Sequence, residues 1–403
     1  MDVLLVCNKS PWPPSEGGPI AMNAMVAGLL EAGHNVKVLA INSNKYQVDI
    51  DSIPLDYKSK TDIELVYIDL KVRVIPAFLN LFSSKSLHVE RFITTNFANA
   101  LEKILLRQKF DIIQLESLFI APYIPLIRKL SAAPILLRAH NIEHLIWQRL
   151  QTGTKNPFKR WYFKHLTNTL RSFELDTLSK VDGVIAITPK DAQYFKKHLS
   201  EKHVISIPFG IQPEVIEKYT RRINTIVEPT AIFHLGSMNW LPNQEGILWF
   251  IENVWPEIST KHKGLTLHLA GRNMPDNIRK LSSESIIIDG EVPDAIDYMH
   301  RFQIMAVPLL SGSGIRIKIV EGMMAGCAVV TTTIGAEGIN YTNGRHLLIA
   351  DSASDFKSAL NKLITDAEYT SNMGKEAAQF VAHNHNNAIL INNLLTFYKQ
   401  YPQ

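Results

Sequence analysis

The run Ser311-Gly312-Ser313-Gly314-Ile315-Arg316-Ile317-Lys318-Ile319-Val320-Glu321 holds the residue types that can bind a phosphate. An apolar run, Ile304 to Leu310, precedes it and reads as a buried strand, and a helix of about three turns is expected after the Gly/Ser loop. Glycines let backbone approach an anion, and a helix start offers unpaired N–H groups and the positive end of its dipole. Arg316 and Lys318 add fixed charge there, whereas Glu321 repels phosphate and suits ribose hydroxyls. The plainer reading is a tight turn with a solvated basic first turn, because Gly-x-Gly turns are common.

Other residues with chemistry sit at the ends of apolar runs. Gln114 and Glu116 close one run, Arg138 and His140 a second, and Thr188 a third. Parallel strands bring such ends to one edge. His140 stands beside Asn141 and Glu143, and a functional role is expected for it over a structural one. Gly17 and Gly18 lie in a long Gly/Pro loop, Asn8 to Pro19, expected to contact a ligand through its backbone. Residues 155–171 are basic and aromatic (Lys155, Lys159, Arg160, Trp161, Tyr162, Lys164, His165). Two readings stand: a solvated face with aromatics packed beneath, or docking on an anionic membrane surface.

The elements that must position these residues alternate between strand and helix. Val3–Cys7, Val36–Ile41, Ile63–Ile68, Phe110–Gln114, Pro134–His140, Val181–Thr188 and Val204–Ile207 read as strands of one α/β unit. Ala231–Leu235, Leu265–Ala270, Ile286–Ile288, Met305–Leu310, Ala328–Thr331 and Leu347–Ala350 form a second. Residues 44–62 are expected to be irregular, 72–110 largely helical, and 212–229 a linker. A chain of 403 residues suits two or three cores. The expected division is 1–212, 213–385, and a final helix within 386–403 that crosses back to the first domain.

A net charge of +4 gives no reason to expect nucleic acid as a partner. Cys7 and Cys327 lie in apolar runs and form no metal spacing. The first residues start a strand and carry no signal-peptide pattern, so a cytoplasmic address is expected, peripheral at the inner face of the membrane if 155–171 docks there.

Five motifs in order carry a family resemblance: Gly236-Ser237-Met238-Asn239-Trp240-Leu241-Pro242-Asn243; Gly271-Arg272; Gly290-x-Val292-x-Asp294; Gly312-x-Gly314-x-Arg316-x-Lys318-x-x-Glu321-Gly322-Met323; and Gly335-Ala336-Glu337-Gly338. Over roughly 231–355 the chain resembles family 4 of the retaining glycosyltransferases, of the group 1 type. The match in the first half is looser, through Gly17-Gly18, His140-Asn141-x-Glu143 and Pro208-x-Gly210.

The resemblance implies a GT-B fold, two Rossmann-like doubly wound domains facing a crevice. It implies transfer of a sugar from a UDP- or GDP-linked donor to a glycan or lipid-linked acceptor in bacterial surface polysaccharide assembly. The nucleotide sugar is a co-substrate; no cofactor and no metal are expected. Val292 would hold the base, and Glu321 the ribose. Ser313, Gly314, Ile315 and Arg316 would meet the diphosphate, with Gly17 and Gly18 closing over it, and Gly236, Asn243 and Arg272 would complete the donor site. His140 would lie against the sugar, and Arg316 and Lys318 would stabilise the leaving group.

Two features depart from the family pattern. Relatives place a glutamate eight positions before the ribose-binding one, where this chain has Ser313; Glu337 is a candidate replacement. Many also carry an Arg/Lys pair in the segment corresponding to Gly236–Gln244, which here has no basic residue, so Arg316 and Lys318 are the natural substitutes. Lys318 and Glu321, three apart on a helix, share a face and could instead pair. A non-hydrolysing sugar-nucleotide 2-epimerase, using Glu116, His140 and Glu143, and a non-catalytic scaffold are the alternative functions.

Overall fold

The structure, a computed structural model, describes residues 1–401 except 15–16, 72–79, 82, 155, 200–202, 221–227 and 313–314; for 228–230 it describes the backbone alone. Lys155, Ser313 and Gly314, named above, therefore lie outside the described residues. The chain divides into two α/β units, one of Met1–Gly210 with Asn387–Gln403, the other of Ile211–Asn386.

The first unit carries seven parallel strands in the order β3-β2-β1-β4-β5-β6-β7. They are β1 (Asp2–Cys7), β2 (Asn35–Ser43), β3 (Glu64–Ile68), β4 (Ile112–Glu116), β5 (Ile135–Ala139), β6 (Gly183–Ala186) and β7 (Val204–Ser206). The unbroken apolar run of β1 follows from burial on both faces. Val3, Leu5 and Cys7 pack on one side with Met22, Leu29, Leu390 and Leu394. Leu4 and Val6 pack on the other with Phe97, Leu101 and Leu170. The terminal helix, Asn387–Tyr398, thus belongs to the core of this unit. Gly28 admits it, since a Cβ there would sit 2.4 Å from Ile391 Cγ1.

The second unit has six parallel strands in the order β10-β9-β8-β11-β12-β13. These are β8 (Glu228–Leu235), β9 (Thr266–Ala270), β10 (Ile286–Gly290), β11 (Phe302–Val307), β12 (Ala328–Thr331) and β13 (Leu348–Ile349). Strand order reverses between β1 and β4 in the first sheet and between β8 and β11 in the second. In doubly wound sheets ligands bind outside the carboxyl ends of the strands at such a reversal.

Several expectations are corrected. Gly17, Gly18 and Pro19 are not loop residues but the first turn of the Gly17–Glu31 helix, where proline's missing N–H costs nothing. The stretch 44–62 contains a Leu55–Thr61 helix. The expected linker opens with a Pro213–Thr220 helix that buries Ile216 and Tyr219. Within 72–110 the described helices are Leu87–Glu90 and Thr95–Arg107. β11 stops at Val307 rather than Leu310, because Pro308 has no N–H to extend the ladder. In the Pro157–Leu178 helix Trp161 is exposed at 59% and so is not packed beneath the basic face, whereas Tyr162 is half-buried against Phe163; Phe158, beside them, is exposed at 83%.

Candidate functional site

In the second unit, the five motifs follow five successive carboxyl ends: β8, β9, β10, β11 and β12. Their loops are fastened to one another through backbone. Gly236 N–H donates to Ala270 O (3.1 Å), Gly271 N–H to Gly290 O (2.6 Å) and Met238 N–H to Arg272 O (2.8 Å). Gly271 must be glycine twice over: its φ is +147°, and a Cβ would meet Gly236 O at 1.8 Å. Val292 is half-buried in the turn after β10. Arg272 is exposed, its nearest acid Glu291 at 3.9 Å.

The loops after β8 and β11 flank the reversal point. After β11, Arg316 is the N-cap residue of the Ile317–Met324 helix. Its side chain is buried, with the guanidinium carbon 5.3 Å from the Trp240 ring centroid. Gly312, at φ +120°, leaves room for it; a Cβ there would sit 2.7 Å from Arg316 Nη2. Ile315 is half-buried just before it. Arg316 therefore lies at the positive end of the helix, stacked on Trp240, which sequence reasoning quoted only as part of a motif.

Lys318 does not pair with Glu321. Its ammonium donates to Asn243 Oδ1 (2.6 Å) and to His234 Nε2 (3.2 Å). A helical side chain points back toward the N-terminus, which carries Lys318 away from the residue three positions on. Asn243, in the first turn of the Leu241–Asn253 helix, in turn donates to Ser237 O (2.7 Å). A Cβ on Gly236 would lie 2.8 Å from Lys318 Nζ, so the glycine lets the amine come up against the loop. Burial, and then the Arg316 charge, push the Lys318 ammonium down from its ordinary value to about 7.

Glu321 stands one turn further along the helix, and burial raises its carboxyl above the usual range. That carboxyl has no hydrogen-bond partner among the described residues. Two cations, a helix start and an unengaged carboxylate thus lie along one short loop–helix segment, the order that a diphosphate followed by a ribose requires.

In the first unit the reversal point is marked by Cys7 and Glu116, opposite each other at the ends of β1 and β4. Glu116 is fully buried in a polar network. Its Oε2 accepts from His140 Nε2 (2.7 Å) and Arg138 Nη1 (3.3 Å), and its Oε1 from Gln114 Nε2 (2.6 Å). Tyr398 of the terminal helix donates to Gln114 Oε1 (2.5 Å), and Arg138 donates to Ala21 O (3.0 Å). Burial would raise the Glu116 carboxyl, but Arg138, His140 and Gln114 outweigh it and hold the group below its usual range. Glu116 is accordingly a carboxylate, and His140 is oriented by it. Ser117, immediately after, is held at φ +111°, a strained value for a side-chain-bearing residue at the edge of a site.

Glu143 makes no hydrogen bond to Glu116 or His140 among the described residues; its carboxyl bonds Asn141. Burial first, then the Glu174 charge, push its carboxyl up to about 8. Glu174 is committed to the Glu143 backbone N–H (3.0 Å) and to His144. Of the three residues named for epimerase chemistry, Glu116 bonds His140 directly, while Glu143 bonds Asn141 and feels the Glu174 charge. Gly17 and Gly18 start the helix that follows β1, and a Cβ on Gly18 would meet Lys9 Cε at 2.7 Å.

The comparisons with known proteins agree with this layout. Residues 17–215 match the family described as Glycosyltransferase Family 4, and residues 229–366 match Glycosyl transferases group 1. The chain belongs to glycosyltransferase family 4, group 1 type. HepE of Anabaena, solved in complex with UDP, superimposes on this glycosyltransferase with a TM-score of 0.67 over 100% of both chains at 12% identity. Sucrose-phosphate synthase from Thermosynechococcus elongatus gives 0.68 over 99% of both at 13%. These likenesses establish the GT-B fold. A Klebsiella pneumoniae protein described as an uncharacterized 44.6 kDa protein in the cps region is 22% identical to the glycosyltransferase over 361 residues, 87% of each chain.

Proposed function

We propose that this glycosyltransferase moves a hexose, with retention of anomeric configuration, from a UDP- or GDP-linked donor to a glycan or lipid-linked acceptor in bacterial surface polysaccharide assembly. The observation that carries the reading is the cation pair Arg316–Lys318 at the start of the Ile317–Met324 helix, beside the Gly236 loop. As the bond from the anomeric carbon to the diphosphate oxygen lengthens, negative charge grows on the leaving group. Cations and N–H groups fixed there stabilise the transition state more than the ground state. Arg316 and Lys318 supply that charge without a metal ion, Glu321 holds the ribose hydroxyls, Val292 borders the base, and Gly236, Asn243, Arg272 and Ile315 complete the donor site. His140, oriented by Glu116, lies against the sugar, with Gly17 and Gly18 on the same unit. HepE was solved with UDP, which supports a uridine donor, and the cps-region relative supports a surface polysaccharide as product.

The test supplies UDP- and GDP-sugars with a lipid-linked and oligosaccharide extract from a capsule-forming bacterium. Sugar transfer with nucleoside diphosphate release is expected. Conversion of donor to its epimer without acceptor would replace this reading with an epimerase.

The enzyme acts at the inner face of the membrane. Phe158 and Trp161 are exposed among Lys159, Arg160 and Lys164, an apolar pair ringed by cations that suits an anionic headgroup layer. Among the described residues no helix is long and apolar enough to cross a membrane. Co-sedimentation with vesicles containing 30% phosphatidylglycerol, as a chosen probe of roughly physiological anionic content, is expected for the native chain. It should fall several-fold for Phe158→Ser/Trp161→Ser; equal co-sedimentation of both would remove the membrane role.

A further inference from the structure

His234 has no part in the donor site as described, yet its geometry points at the centre of it. It is fully buried near the end of β8, and its Nδ1 lies 2.8 Å from Ala306 O of β11. The ring therefore bridges the two strands that flank the reversal point. A carbonyl accepts only, so Nδ1 carries the proton. Burial, then the Lys318 charge, hold the ring well below its ordinary value despite that hydrogen bond, so it is neutral. Its Nε2 is then an acceptor with a fixed direction, and Lys318 Nζ occupies that direction at 3.2 Å.

Of the three N–H donors of the Lys318 ammonium, one goes to His234 and one to Asn243. The third has no partner among the described residues. The charged groups around it come from each neighbouring element. Arg316 precedes it by two residues, and Glu321 follows by three, burial and then its charge raising the Tyr219 hydroxyl of the Pro213–Thr220 helix. Glu245 of the Leu241–Asn253 helix accepts from Ser311 Oγ at 3.0 Å. None of these carboxylates bonds the amine, so among the described residues the half-buried amine stands beside a cation without a counter-ion.

We propose that His234 is a positioning residue which, with Asn243, presents Lys318 to the donor diphosphate, so that loading the site takes up a proton onto Lys318. The proposal rests on the donor-site reading above and adds a coupling to it. In the free protein Lys318 releases its proton near neutrality. A diphosphate supplies the missing counter-ion and restores the charged form. Above pH 7, where the free amine is largely neutral, affinity should fall by up to about tenfold per pH unit, and below pH 7 it should be flat.

The test is an NMR titration of the full chain labelled at lysine Cε, with the Lys318 signal assigned by its loss in Lys318→Arg. A midpoint near 7 is expected without ligand, moving up by about two pH units with 10 mM UDP. His234→Leu, which removes the acceptor, should lower the free midpoint and weaken UDP binding about tenfold; His234→Gln, which keeps an acceptor, should restore both. In Lys318→Arg, the Kd for UDP-glucose, whose diphosphate does not titrate in this range, should lose its pH dependence between 7 and 9. A free midpoint near the ordinary lysine value, or one unmoved by UDP, overturns the coupling. His234→Leu with both properties intact overturns the positioning role. A UDP-dependent midpoint in a chain that transfers no sugar leaves the coupling standing and overturns the glycosyltransferase reading alone.

Discussion

Arg316→Ala should lower kcat/KM for sugar transfer by about 10²–10³-fold, the scale on which loss of one fixed donor to a developing oxyanion is felt. Arg316 is the buried cation at the helix start, backed by Trp240 and admitted by Gly312. Its geometry is set before any ligand arrives, and this makes such a charge effective in the transition state. It makes no N-cap bond to the helix, and Trp240 is itself 37% exposed, so the melting temperature should change by only a few degrees. Arg316→Lys keeps charge but loses the planar fork and the stacking, and should retain part of the activity. Steady-state kinetics checks both; an unchanged kcat/KM in the alanine variant would remove Arg316 from the diphosphate.

Glu116→Leu should be the most destabilising single change in the first unit, by about 3–5 kcal/mol, because it strands the buried Arg138 without its counter-ion. In a unit of this size that corresponds to a melting temperature lower by on the order of 10 °C. The carboxyl is held below its unfolded value, so its contribution is present above the unfolded carboxylate range and is lost as the pH falls through the folded value. The native chain and Glu116→Leu should therefore converge in stability in acid. Replacing both partners, Glu116→Leu with Arg138→Met, should recover much of the loss, since a matched apolar pair carries no buried charge. Thermal denaturation at pH 4 and pH 7 measures this; a single variant as stable as the native chain at pH 7 would show that the pair carries no weight.

The strands were legible because parallel strands buried on both faces leave unbroken apolar runs: β1 and β12 fall on Val3–Cys7 and Ala328–Thr331 within one residue. The short helices Leu55–Thr61 and Pro213–Thr220 were not, since few of their residues are buried and no period shows. Gly17–Pro19 looked like loop because glycine and proline punctuate loops, yet a first turn tolerates both. The site was legible as a set of strand ends but not as a set of pairs. His234 meets Lys318 across 84 positions and Glu116 meets His140 across 24, and spacing along one chain does not encode such meetings. The one pair that spacing did suggest, Lys318 with Glu321, fails because the lysine stem runs back toward β8. Trp240 and His234 carry no motif of their own; only the residues they touch reveal what they do.

The central claim is that the second unit binds a sugar nucleotide through the segment from Arg316 to Glu321. Calorimetric titration of UDP, GDP and their glucose and mannose conjugates into the native chain and into Glu321→Ala tests it most directly. The native chain should bind at least one nucleotide with a Kd in the micromolar range, and Glu321→Ala should weaken that binding at least about tenfold, the loss of ribose hydrogen bonds to a charged group. No heat with any of these ligands, or equal affinity in the two proteins, would contradict the account.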